Sequence, residues 1–127
     1  MGYAFESVCY KHVMQIRNAL QIPIGSKSGT WRYSPKKDSD EKGAQIDLLF
    51  ERPDEAITLC EIKCTDAAYG LNLENYQVVR NKVSVYQKIT GTDKQILLAF
   101  ISANGMKKTK YINEISAVAT LDDLLAE

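Results

Sequence analysis

The chain is poor in several things, and each shortage excludes a class of protein. No apolar run approaches the roughly 20 residues needed to cross a bilayer, so no membrane partner is expected. The N-terminus, "MGYAFESVCYKHVMQI", has a glutamate and a histidine early and lacks the layout of a secretory leader; the expected compartment is the cytoplasm. There is no excess of either charge, with 16 Lys plus Arg against 16 Asp plus Glu. Affinity for nucleic acid driven by phosphate neutralisation is therefore not expected of the chain as a whole, which leaves room for local basic patches or a partner that supplies charge. No aromatic RNA-binding motif or basic stripe is present, which disfavours a plain RNA-binding module. Cysteines are few and odd in number, namely Cys9, Cys60 and Cys64, which argues against a disulfide framework. Cys9 and His12 have a zinc-like spacing. Cys60 and Cys64, however, lie on a predicted strand with α-carbons about 13 Å apart at about 3.3 Å per residue, too far for one ion holding each sulfur at about 2.3 Å. Core packing is the expected use of these thiols.

What is present fits one domain spanning residues 1–127, with 45% hydrophobic and 25% charged residues. Residues 2–20 have a helical stripe through Phe5, Val8, His12, Ile16 and Ala19, ended by Pro23 and Gly25. Thr30 to Tyr33 is a short strand candidate, followed by the polar loop "SPKKDSDEKG". Residues 44–52 and 56–65 read as two strands joined by the tight turn "RPDE". Asn72 is a predicted N-cap for a helix over 73–90, stopped by Gly91. "QILLAFIS" is so continuously apolar that burial on both faces is expected. Asn104-Gly105 marks a turn, residues 111–118 a further strand, and "TLDDLLAE" a short helix capped by Thr120. This order implies an α/β fold, a mixed sheet flanked by helices.

The hairpin "GAQIDLLFERPDEAITLCEIKCT" carries charges inside strands otherwise suited to a core. Regular alternation puts Ala44, Ile46, Leu48 and Phe50 on one face and Gln45, Asp47, Leu49 and Glu51 on the other. In the second strand Glu61 and Lys63 share a face with Ile57 and Leu59, opposite Cys60 and Cys64. Strand pairing then brings Asp47 beside Glu61 and Lys63. Two carboxylates at the end of a hairpin suit Mg²⁺, with water and phosphate completing the shell. A lysine beside them can orient a water or stabilise charge on phosphate oxygens. The bland alternative is an ordinary cross-strand ion pair. On the 73–90 helix, Lys82 falls inside an apolar arc formed by Tyr76, Val78, Val79, Val83, Val85, Tyr86 and Ile89. It therefore needs the carboxylate of Asp47 or Glu61, a bound phosphate, or a path out to water along its own stem. Glu6, beside Phe5, is a further candidate carboxylate.

The stretches "AFESVCYKHVMQIRNAL", "GAQIDLLFER", "ITLCEIKCT", "YQVVRNKVSVYQKITGTDKQILLAFISANG" and "LDDLL" resemble the PD-(D/E)XK nuclease superfamily. More narrowly, they resemble the C-terminal nuclease-like domain of prokaryotic AAA-type ATPases. The resemblance implies a restriction-endonuclease-like core and a Mg²⁺- or Mn²⁺-dependent site acting on DNA. It implies that Asp47 and Glu61 bind metal, with the main-chain carbonyl of Ile62 as a further ligand, and that Lys63 assists the attacking water. Glu6 corresponds to a first-helix acid, and Lys82 more loosely to a polar position on the later helix. Ile46 replaces the motif proline. No G-x-x-x-x-G-K-[ST] phosphate loop is present, since "GSKSGT" lacks the spacing and has no lysine after its second glycine. An AAA-type ATPase is thus expected as a partner, in the same chain or a separate one, this domain being either excised from it or stand-alone. The competing expectation is a non-catalytic regulatory or interaction module of the same fold.

Overall fold

The computed structural model describes residues 2–126. Its element order is α1 (Gly2–Lys11), α2 (Val13–Ala19), β1 (Lys27–Tyr33), β2 (Ala44–Glu51), β3 (Ala56–Lys63), α3 (Leu73–Thr90), β4 (Gln95–Ser102), β5 (Ala117–Ala119) and α4 (Leu121–Leu124). The five strands form one mixed sheet in the order β1-β2-β3-β4-β5. The first three strands are antiparallel, whereas β4 runs parallel to β3 and β5 parallel to β4. The parallel step from β3 to β4 requires a crossover, and α3 supplies it.

Helices cover both faces. On one, Phe5 and Cys9 of α1, Ile16 of α2, Leu20 and Leu124 of α4 pack on Leu48, Phe50, Cys60 and Ile101. On the other, Val79, Val83 and Tyr86 of α3 pack on Ile46, Leu49, Ile57, Leu59, Leu98 and Phe100. β4 lies between these layers and is buried from Leu98 to Ser102, in keeping with its apolar sequence.

Local signals account for most boundaries. The Asn72 side chain accepts the Asn75 amide at the start of α3, and Gly91, in the left-handed region at φ 69°, ends it. Thr120 and Asp123 form a reciprocal capping box on α4. The hairpin turn closes with the Arg52 amide donating to the Ala56 carbonyl at 3.0 Å, and Glu55 takes a positive φ of 61° there.

Three expectations need correction. The predicted helix over 2–20 breaks at His12, whose ψ of 35° leaves the helical range. The apolar stripe continues across the break, because Phe5, Cys9, Ile16 and Leu20 are all buried. The strand expected over 111–118 is instead a 3₁₀ turn at Ile112–Glu114 followed by the three-residue β5. The first strand begins earlier than expected, at Lys27.

Candidate metal and nucleic-acid site

The β2–β3 ladder pairs Glu51 with Ile57, Phe50 with Thr58, Leu49 with Leu59 and Leu48 with Cys60, and stops there. Asp47 and Glu61 are the next residues on each strand. Beyond that point β2 stays paired with β1 as far as Ala44–Tyr33, and β3 stays paired with β4 as far as Lys63–Ser102. The sheet therefore forks between β2 and β3, with Asp47 and Glu61 at the crotch. The Lys63 carbonyl faces the β4 side and accepts the Ala103 amide at 3.1 Å. By strand alternation the preceding carbonyl, that of Ile62, points the other way, across the fork toward β2.

A bulge at the same place changes which face Asp47 serves. Between the pairs Gly29–Leu49 and Trp31–Ile46, β1 has only Thr30 while β2 has both Asp47 and Leu48. Leu48 keeps to the α1 face, but Ile46 joins Leu49 on the α3 face. Regular alternation would have put Ile46 with Leu48 and Asp47 with Glu61. The extra residue instead turns Asp47 toward α1. Its Oδ1 receives a long 3.4 Å hydrogen bond from Gln45 Nε2, and its carbonyl accepts the Tyr10 hydroxyl at 3.0 Å. Burial and the nearby charges of Asp47 and Glu6 push the Tyr10 phenol above its ordinary range. Burial, Glu6, Cys64 and Asp47 together push the Cys9 thiol up to about 12. Glu6 thus belongs with Asp47, on the α1 side of the fork.

Glu61 and Lys63 face α3, as the alternation of β3 predicts. Glu61 is 8% exposed, and its Oε1 lies 2.9 Å from the Lys82 ammonium. Of the partners open to Lys82 on sequence grounds, the structure selects this carboxylate. The buried stripe of α3 is narrower than expected, since Val78 and Ile89 are exposed. Lys82 borders that stripe instead of lying at its centre, so its stem runs along apolar surface while its head reaches Glu61. The Lys63 ammonium sits 5.6 Å over the ring of Tyr69, and Tyr69 stacks on Phe100 at 5.9 Å. Phe100 is the β4 register partner of Glu61. Burial first and the Glu61 charge second raise the Tyr69 phenol above its usual value. Sequence reasoning missed Tyr69 and Tyr10; both are single aromatics in segments whose three-dimensional neighbours come from distant strands.

The oxygens on offer are hard but divided: the Asp47 carboxylate lies on the α1 side of the fork, Glu61, with one oxygen held by Lys82 at 2.9 Å, lies on the α3 side, and strand alternation puts the Ile62 carbonyl between them. This chemistry suits Mg²⁺, which retains waters and accepts phosphate oxygens in its remaining positions. Among the described residues, no three or more His, Cys, Asp or Glu side chains gather where they could hold a metal ion, so protein carboxylates alone do not make a closed cage. All three cysteines are free thiols, and His12 Nδ1 is engaged with the Val8 carbonyl at 2.8 Å. No helix among the described residues is long and apolar enough to cross a membrane.

Comparison with known proteins adds no relative. No family model matches the chain, and neither the curated proteins nor the solved structures contain a match.

Proposed function

We propose that the chain is a Mg²⁺-dependent nuclease domain of PD-(D/E)XK type, with a restriction-endonuclease-like core, that hydrolyses phosphodiester bonds in DNA and works with an AAA-type ATPase. The observation that carries this proposal is the fork. It opens the sheet just past the Leu48–Cys60 pair, at Asp47 and Glu61, and by strand alternation the Ile62 carbonyl faces the gap. Bound there, Mg²⁺ supplies Lewis-acid polarisation of the phosphate and a more acidic water. Asp47 enters from the α1 side, supported by the Tyr10 contact to its own carbonyl. Glu61 enters from the α3 side with one oxygen, Oε1, held by Lys82. Lys63, held over Tyr69, orients the attacking water or stabilises charge developing on phosphate oxygens. Glu6 adds negative charge behind Asp47.

A nicking assay on supercoiled plasmid with Mg²⁺ or Mn²⁺ tests this. Wild type nicks; Asp47→Asn and Lys63→Ala fall to background. No cleavage of any DNA form by wild type, or equal cleavage by the variants, defeats the proposal.

One observation favours the non-catalytic alternative. The Glu61–Lys82 pair at 2.9 Å already gives the buried carboxylate a cationic partner, so the network is complete as a structural element without any metal. Titration calorimetry separates the two. Divalent binding that disappears in Asp47→Asn supports the nuclease, and the absence of binding supports the interaction module.

A further inference from the structure

Three connections gather at the forked end of the sheet, because β2 starts there and β3 and β4 both end there: residues 34–43, 64–72 and 103–111. Two of them are rich in lysine, and they differ in how the charge is answered. The 34–43 loop has Lys36, Lys37 and Lys42 against Asp38, Asp40 and Glu41, and Glu41 is engaged further by Tyr33 and by Lys88 at 3.9 Å. The 103–111 loop has Lys107, Lys108 and Lys110 and no acid at all. All three lysines are exposed.

That second loop is also firmly built. The Tyr69 amide donates to the Gly105 carbonyl at 2.9 Å, and the Lys107 amide donates to the Tyr69 carbonyl at 2.8 Å. Ser102 Oγ donates to the Gly105 carbonyl at 2.7 Å, and Thr109 Oγ1 to the Leu71 carbonyl at 2.8 Å. The loop is thereby fastened to Tyr69, the residue that carries Lys63 and neighbours Glu61. Its aromatic neighbours are already occupied: Tyr76 stacks on Tyr111 at 4.9 Å and Tyr69 on Phe100 at 5.9 Å. A single-strand binder needs free aromatic faces for bases. Here the rings are used internally, Tyr111 also lying 5.2 Å beneath the Lys110 ammonium, and the exposed lysines present positive charge without base-stacking faces, which is the equipment for tracking a duplex backbone.

We propose that Lys107, Lys108 and Lys110 form the surface that grips the phosphates of duplex DNA beside the fork. The choice of DNA rests on the nuclease function proposed above; the location of the grip does not. A net-neutral chain can bind a polyanion in this way because this loop has three lysines and no acid of its own.

The test is fluorescence anisotropy with a labelled duplex in EDTA, across a range of salt. Each phosphate contact contributes about 0.9 to the slope of log K against log salt on duplex DNA, so Lys107→Ala/Lys108→Ala/Lys110→Ala lowers the slope by about 2.7. Lys36→Ala/Lys37→Ala, in the balanced loop, leaves it unchanged. An unaltered slope in the triple variant, an equal fall in the Lys36/Lys37 variant, no duplex binding by wild type, or tighter binding to single strands or duplex RNA each overturns the assignment. Metal is excluded from the measurement, so the two proposals fail separately. A lost slope with no Mg²⁺-dependent nicking by wild type retains the surface and removes the nuclease. Retained nicking with an unaltered slope does the reverse.

Discussion

At its turn, the β2–β3 hairpin carries Arg52 and Asp54, paired at 2.6 Å with the aspartate 47% exposed. At its open end it carries Glu61, paired with Lys82 at 2.9 Å with the carboxylate side chain 11% exposed. The distances are similar and the surroundings are not. In the first pair the aspartate is solvated whether or not the pair forms, while Arg52, its side chain 17% exposed, also donates to Thr58 Oγ1 at 3.3 Å, so the ion pair itself adds little. In the second pair the carboxylate has given up most of its water, so it depends on the ammonium. Between the two lies a run of buried pairs, Leu49 with Leu59 and Phe50 with Thr58. Proximity of opposite charges alone does not mark a site; what marks the fork is charge that the fold keeps half-buried where strand pairing has ended.

Substitutions along the hairpin rank these regions by stability, measured by urea denaturation. The middle is the strongest link. Phe50 is 0% exposed, and Phe50→Ala costs about 3–5 kcal/mol; a cost below about 1 kcal/mol would mean that this strand pair is not the centre of the core. The fork comes next. Lys82→Met strands the Glu61 carboxylate and costs about 2–3 kcal/mol, much of it recovered by adding Glu61→Gln. Glu61→Gln alone costs less, since the ammonium can move out to water along its stem. Equal losses for the two single variants would show that the carboxylate is as well solvated as the turn.

The thiols behind the fork give a smaller effect, visible only at alkaline pH. Cys9 ionises near 9.0 when unfolded and near 12 when folded, chiefly through burial. Its contribution is complete below about pH 9 and is lost as pH rises toward 12, because the unfolded thiol releases its proton first. Cys9→Val therefore loses less stability than wild type between pH 8 and 10.5, and equal losses would remove the effect. In native protein at neutral pH, iodoacetamide labels Cys64 ahead of Cys9 and Cys60, both of which are buried. The smallest effect is at the turn, where Arg52→Ala costs less than about 1 kcal/mol. Its pair holds the Asp54 carboxyl below the usual range, a contribution present above about pH 4 and lost as pH falls through the folded value.

Much of this arrangement is legible from local chemistry. The α3 boundaries follow from Asn72 and Gly91, and the alternation of β3 puts Glu61 and Lys63 together on the α3 face, because neither depends on distant partners. The bulge at Asp47–Leu48 does. It exists because Trp31 pairs with Ile46 while Gly29 pairs with Leu49, and nothing within residues 44–51 reports that mismatch. The same limit explains Tyr10, whose hydrogen-bond partner is 37 residues away. β5 shrinks to three residues for a related reason: it is an edge strand whose pairing covers only Ala99 to Ile101. The break at His12 is hidden because the apolar stripe runs through it unbroken.

The position of β3 has a consequence for how the chain assembles. Its partner on one side, β2, arrives through a tight turn, a closure that takes microseconds. Its partner on the other side, β4, is reached only through the long crossover that contains α3, and such long-range parallel pairing is slow. Until then "AITLCEIK" presents an open apolar edge, the kind of template on which other chains add as strands. During synthesis, the interval before residues 95–102 leave the ribosome is therefore when this protein is most exposed to aggregation, and α3 governs how long that interval lasts.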